Sequence, residues 1–261
     1  MKLLNPLLGS KLIKYPEGSI TQYYKENPAL YKPFGLAFHP GIDIYMPYGT
    51  PILAATDGKV VEIRDTPDGY GLHIRIVSPK IDGYYYETIY GHLSEILVSL
   101  KQIVKAGDMI GREGNSGFVV SGGVPFWGGS NPDKKGTHLH FGVRIFKDLE
   151  PNSGQIVFET GDTYTILDYN NGVWGYINAL PMLIEEAIVN QNMFKLIKKT
   201  KDSKEVFAVL GNKRWWIADP ISFEAGRKSL WSGWEEIEID DIMKYEYISA
   251  IVLLQTDDPL K

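Results

Sequence analysis

Four of the five histidines fall in short contexts that suit one chemical site: His39 in HPGIDI, His92 in YGHLS, and His138 with His140 in THLHF. Imidazole is the commonest metal ligand and also the side chain that carries protons near neutrality, so a single catalytic centre can use all four. Asp43 follows His39 across Pro40 and Gly41. Pro40 and Gly41, two of the three intervening residues, disfavour a helix, so the spacing predicts a turn entering a strand, unlike the helical HExxH arrangement. His138 and His140 are two residues apart in a stretch of strand-forming residues, and alternate residues of a strand share a face. Both are therefore expected to look into one site. Taken alone, HxxxD reads as a turn and HxH as a polar stripe; taken together with His92, they favour metal ligation.

The elements that must position these groups read as mostly β. ILAATDGKVVEIRD, GLHIRIVSPK and YYYETIYGH look like successive strands separated by DG, PDG and IDG turns. LSEILVSLKQIVKAGDMIG carries enough Val and Ile, with an AGD turn, to favour a loop and a short strand over a helix. A Gly- and Ser-rich excursion, GNSGFVVSGGVPFWGGSNPDKKG, precedes the HLH strand. Its Phe126 and Trp127 are candidates for a substrate groove or for a hydrophobic anchor of the loop. Tyr90 is expected to pack, or to lend a hydroxyl to the site, and Asn115 to satisfy backbone groups at the mouth of the cleft. His73, the fifth histidine, is expected to pack within its strand.

At this combination the sequence resembles the lysostaphin-type zinc metallopeptidases, a family of peptidoglycan endopeptidases. The matching text is FHPGIDI from Phe38, GTPILAATDGKV ending at Val60, IYGHLS from Ile89 and GTHLHF ending at Phe141, within about residues 34–145. The resemblance implies a mainly β fold with an antiparallel β-sheet metallopeptidase core. It further implies Zn2+ held by His39, Asp43 and His140, catalytic roles for His92 and His138, and bacterial peptidoglycan as the partner. Two departures stand out: Phe118 to Lys135 looks inserted, and Gly142 occupies the place of the usual acidic residue after HLHF. The expected activity is hydrolysis of peptide bonds in stem peptides or cross-bridges, as in a wall-degrading endolysin. The alternative is a noncatalytic wall-binding or phage-assembly protein on the same scaffold.

The chain has 261 residues, a formal charge of −5 and 44% hydrophobic content, enough for one or two compact domains. A metallopeptidase domain over residues 1–188 with an N-terminal lead, and a small aromatic-rich α+β accessory or wall-targeting domain over residues 189–261, is the expected division. KLIKKTKDSK sits at this boundary as a solvated basic run. Trp215, Trp216, Trp231 and Trp234 read as core of the small domain, or as stacking surface for sugar or peptide. The mild acidity gives no reason to expect nucleic acid, and no stretch reaches the roughly 18 apolar residues of a membrane helix. The absence of cysteine excludes thiolate ligands and cysteine nucleophiles. No GxSxG, P-loop or strand-linked GxGxxG is present. The apolar start is interrupted by Asn5, Pro6 and Gly9, which makes a poor secretion signal. Action at the wall outside the membrane then calls for phage-mediated release or a trimmed chain, and no oligomeric state is assigned.

Overall fold

A computed structural model describes residues 1–7, 9–127, 134–151 and 153–184, together with five strands further on. The chain divides into two compact units, Met1–Glu185 and Glu186–Lys261.

The first unit is built from β1 (Ile20–Gln22), β2 (Ile42–Ile44), β3 (Pro51–Leu53), β4 (Gly58–Thr66), β5 (Gly71–Val77), β6 (Tyr85–Gly91), β7 (Leu93–Ile96), β8 (Ile103–Val104), β9 (Met109–Glu113), β10 (Val119–Ser121), β11 (Val124–Phe126), β12 (Leu139–Lys147), β13 (Gln155–Val157), β14 (Thr163–Ile166) and β15 (Tyr176–Ile177). Ten of these form one sheet in the order β13–β14–β12–β6–β5–β4–β8, with β15 and β2 also paired to β12, and β1 to β2. A three-stranded sheet, β3–β9–β7, and the β10–β11 hairpin stand beside it. The pairings within these three sheets are antiparallel, as the sequence leads one to expect; a separate short pair, Leu3–Leu4 with Leu183–Ile184, is parallel. The segment between His92 and Gly114 is strand and loop throughout. ILAATDGKVVEIRD divides into two strands about its DG turn, the chain leaving β3 at Ala54 and re-entering a sheet at Gly58.

The core lies where apolar faces of the sheets meet. Ile42, Ile44, Ile52, Ile74, Ile76, Tyr90, Leu139 and Phe141 are all buried in one cluster. The alternation of strands β2 and β12 thus buries one row of side chains and leaves the other row free for chemistry. Tyr90 belongs to the buried row: its ring packs on Phe141 and its hydroxyl accepts a hydrogen bond from Ala55 N at 2.8 Å.

Behind β6 and β12 runs a buried ionic layer. Glu87, with no exposed surface, accepts hydrogen bonds from Arg144 Nη2 at 2.8 Å and from Arg75 Nη1, while Arg75 Nε binds Glu62 at 2.7 Å and Arg75 Nη1 reaches the Tyr176 hydroxyl at 2.7 Å. His73 joins the same layer through Gly71 O at 2.7 Å and Glu62 at 3.4 Å, a structural role.

Of the second unit, the described residues are strands Phe194–Lys198, Val206–Leu210, Lys213–Ile217, Glu236–Glu238 and Glu246–Ile251 in one five-stranded sheet. The helical share expected of this unit lies outside the described residues, as do Trp231, Trp234 and the side chains of Trp215 and Trp216. Among the described residues no helix is long and apolar enough to cross a membrane.

Candidate active site

The HPGID turn delivers His39 just ahead of β2 and Asp43 in its middle; β12 pairs with β2 so that His140 lies opposite Asp43. Three donor atoms meet there. His39 Nε2, Asp43 Oδ1 and His140 Nδ1 form a triangle with every side 3.0 Å. That is close to the roughly 3.3 Å edge implied by tetrahedral coordination at about 2.0–2.1 Å. These residues are the one His/Asp/His cluster able to hold a metal ion among the described residues.

The protons argue for a cation at the triangle. His39 Nδ1 faces the Tyr23 carbonyl at 3.0 Å, an acceptor that only an N–H can satisfy, so a neutral His39 points its Nε2 lone pair at the Asp43 carboxylate. Two acceptors face to face repel unless a positive charge sits between them. His140 Nε2 is buried without a hydrogen-bond partner, leaving Nδ1 as the working nitrogen. Burial, then the neighbouring His39 and His138, outweigh Asp43 and bring the His140 pKa to about 4, so this imidazole is neutral near pH 7. Burial pushes the Asp43 carboxyl up, but His39, His138 and the hydrogen bond from His140 overcome it and hold Asp43 well below the usual carboxylate range. The donor set, two imidazoles and a carboxylate, fits zinc. Gly41 makes room for it: a Cβ there would lie 2.5 Å from Phe141 O and 2.9 Å from the His140 ring.

His92 and His138 stand beside the triangle with their rings 4.6 Å apart. Each spends its Nδ1–H on a main-chain carbonyl, His92 on Ser116 at 2.7 Å and His138 on Gly136 at 2.8 Å. Both therefore turn Nε2 toward the site, a lone pair in the neutral ring, that of His138 lying 3.6 Å from Asp43 Oδ2. Burial, followed by the neighbouring His138 and His140 imidazoles, keeps the His92 pKa well below its ordinary value. His92 is also held in the left-handed region at φ 62°, with its N–H on Tyr70 O at 2.7 Å. Such backbone strain clusters at functional sites.

Asp43, His92, His138 and His140 line a cavity of about 530 Å³. Its other walls are largely apolar and include Tyr31, Phe34, Leu36, Phe118 and Trp174. Tyr31 stacks on His39 with centroids 5.1 Å apart, and Tyr70 lies 4.9 Å from the His140 ring. The structure places the four candidate groove residues differently from one another. Tyr90 is core, not groove, because its side of β6 faces Phe141. Phe126, opposite Val119 in the hairpin, is not among the cavity residues. Trp127 is half exposed and reaches the cavity only through its contact with Phe118, 5.2 Å between centroids. Asn115 is buried and donates to Lys135 O at 3.1 Å, tying together the two loops that flank the site. Tyr31, Phe34 and Trp174 were missed from sequence; the aromatic density of QYYKENPALYKPFG just before HPGID is the signal that marks the first two.

Gly142 also finds its reason here. A Cβ at that position would lie 2.9 Å from Ile89 and from the Tyr176 ring, so Tyr176 occupies the space a side chain would take.

Comparison with known proteins agrees with this geometry. Residues 37–157 match the family described as Peptidase family M23. The glycyl-glycine endopeptidase ALE-1 of Staphylococcus capitis is 35% identical over 117 residues, 45% of this chain and 27% of that protein. The peptidoglycan DD-endopeptidase ShyA of Vibrio cholerae is 37% identical over 106 residues, 41% of this chain and 20% of that protein. The chain thus spans under a third of either relative. Among solved structures, the catalytic domain of the prophage-encoded M23 protein EnpA from Enterococcus faecalis is 30% identical, covering 51% of this chain and 83% of that one with a TM-score of 0.36. The metallopeptidase-like His/Asp/His centre lies inside residues 37–157, the segment that matches peptidase family M23.

Proposed function

We propose that the chain is a zinc-dependent endopeptidase, of the lysostaphin type, that hydrolyses peptide bonds in the stem peptides or cross-bridges of bacterial peptidoglycan, acting at the cell wall outside the membrane as an endolysin does. The observation that carries the reading is the 3.0 Å triangle with two bare imidazole nitrogens beside it in one cavity. The names of ALE-1 and ShyA support the substrate class.

His39, Asp43 and His140 would hold the ion. Zinc bound there supplies Lewis acidity toward the scissile carbonyl and toward water. His138 and His92 do the proton work. One Nε2 takes a proton as the water oxygen bonds to the carbonyl carbon, and the pair returns a proton to the amide nitrogen as the C–N bond breaks. Once protonated, either imidazole donates to the developing oxyanion. The carbonyls of Ser116 and Gly136 hold both rings in the required tautomer throughout.

The test is mass analysis of products from purified peptidoglycans of different cross-bridge types, treated with metal-free, zinc-reconstituted and H138A protein. New amino termini are expected with zinc only, and a loss of at least about a hundredfold in rate with H138A. A folded, zinc-loaded chain that releases no product across the panel would replace this reading with wall binding or assembly.

A further inference from the structure

The turn that leads into β15 keeps one large residue out of the core. Val173 and Tyr176 are buried in a cluster with Leu36 and Ile89, while Trp174 between them is 43% exposed. The turn is fixed from two sides. Asn171 Oδ1 accepts from Val173 N and Gly175 N at 3.0 Å each, and Asn171 Nδ2 donates to Tyr176 O at 2.9 Å. Gly172 O accepts from Ala37 N at 2.8 Å, which docks the turn on the segment ahead of HPGID. Trp174 is held there in the left-handed region, at φ 52°. For a bulky side chain that backbone is an outlier, and it persists only where the surrounding structure imposes it. The indole stays outside the buried cluster and lines the wall of the catalytic cavity, beside Gly35, where a Cβ would come within 4.0 Å of its ring. Trp174 lies beyond residues 37–157, so it is a feature of this chain and not of the matched segment.

The chemistry of that wall says what it receives. Trp174 shares it with Phe34, which is also exposed, and with Leu36. Among the described residues that line the cavity there is no Lys, Arg or Glu, and its single carboxylate, Asp43, belongs to the metal triangle. A substrate carboxylate set against the indole would lose water with no cation to pair it, whereas methyl and methylene groups gain by leaving water. We propose that Trp174 is a specificity-determining residue: its indole receives an uncharged aliphatic side chain of the substrate peptide, within three residues of the bond cut, and a free carboxylate in that place is rejected. Three extended residues span about 10 Å, a reach that suits one shared cavity. This rests on the peptidase reading and deepens it, because it names the side chain that the cleft selects.

The experiment uses sugar-free peptides that carry the bond cleaved by the zinc-loaded wild type, with each of the three residues on either side set in turn to Ala and to Asp. At one position the wild type is expected to prefer Ala over Asp by at least about tenfold in kcat/KM, and W174A to narrow that preference to under about threefold. On the Ala peptide W174A is expected to raise KM about tenfold, with kcat within about twofold and zinc stoichiometry unchanged, while W174F stays within about threefold of the wild type. A second readout needs no turnover: zinc-loaded H138A is expected to change its tryptophan emission on adding the Ala peptide, and H138A/W174F to lose most of that change. Preference for Ala that W174A leaves intact, emission that H138A/W174F changes as much as H138A does, or a rise in KM confined to fragments that carry sugar would each overturn the assignment, the last by making Trp174 a platform for the glycan. If the wild type cleaves no peptide and no peptidoglycan, the peptidase reading fails and this assignment with it; a cleaving wild type that W174A matches on every peptide removes the assignment alone.

Discussion

Glu113 closes β9 with a carboxyl that has no exposed surface. Its Oε1 accepts from Met46 N at 2.8 Å and its Oε2 has no partner, while its backbone clasps the turn after β2 through Gly49 N at 2.8 Å and Thr50 O at 2.9 Å. Burial, opposed only by the Met46 hydrogen bond, holds its pKa well above the ordinary 4.5. The sign follows: the folded chain keeps this proton and the unfolded chain gives it up, so the stability tied to it is complete below about pH 4.3 and is lost as pH rises toward the folded value. Gln cannot ionise, so E113Q is expected to match the wild type in thermal melts near pH 4 and to gain on it toward neutral pH, by roughly 2–4 °C for each kcal/mol recovered. A difference in melting temperature that does not vary with pH would contradict this. Residues of this kind separate what is legible in a sequence from what is not. HxxxD and HLH could be read because local spacing fixes which side chains converge. Glu113 could not, since its neighbours are set by a long-range pairing.

At the level of elements, β2 and β12 meet in antiparallel register and bring together ligands nearly a hundred positions apart. The strands were visible as alternating Val, Ile and Tyr, and so was the shared face of His138 and His140. What stayed hidden was the order of the sheet and the way the segment from Gln22 to Leu36 folds over the site, because that segment is polar and turn-rich with no period of its own. Behind β12 the Glu87 layer presses on the same site: Arg75 lies over the Tyr70 ring at 5.7 Å, and Tyr70 touches His140. E87Q leaves Arg75 and Arg144 buried with less compensating charge. Breaking a buried pair in this way costs about 3–5 kcal/mol, so urea unfolding of E87Q is expected to show a lower midpoint with an unchanged slope. A midpoint equal to that of the wild type would mean that the layer is neutral to stability.

For the whole molecule, every residue of the proposed centre lies in the first unit, Met1–Glu185. We propose the second unit as an accessory or wall-targeting domain. A chain ended at residue 188 is then expected to keep zinc binding and to cleave soluble fragments within a few-fold of the full chain, while its retention on insoluble wall falls in a pelleting assay. Retention equal to that of the full chain would remove the targeting role, and failure to fold would make the second unit structural. The first unit has one more property. Leu3–Leu4 pairs in parallel with Leu183–Ile184, so the first and last strands of this unit lie about 5 Å apart and run the same way. The chain therefore arrives at one end of the pair and departs from the other: the unit is clasped at its own seam, and pulling on its two ends would shear that seam rather than peel it.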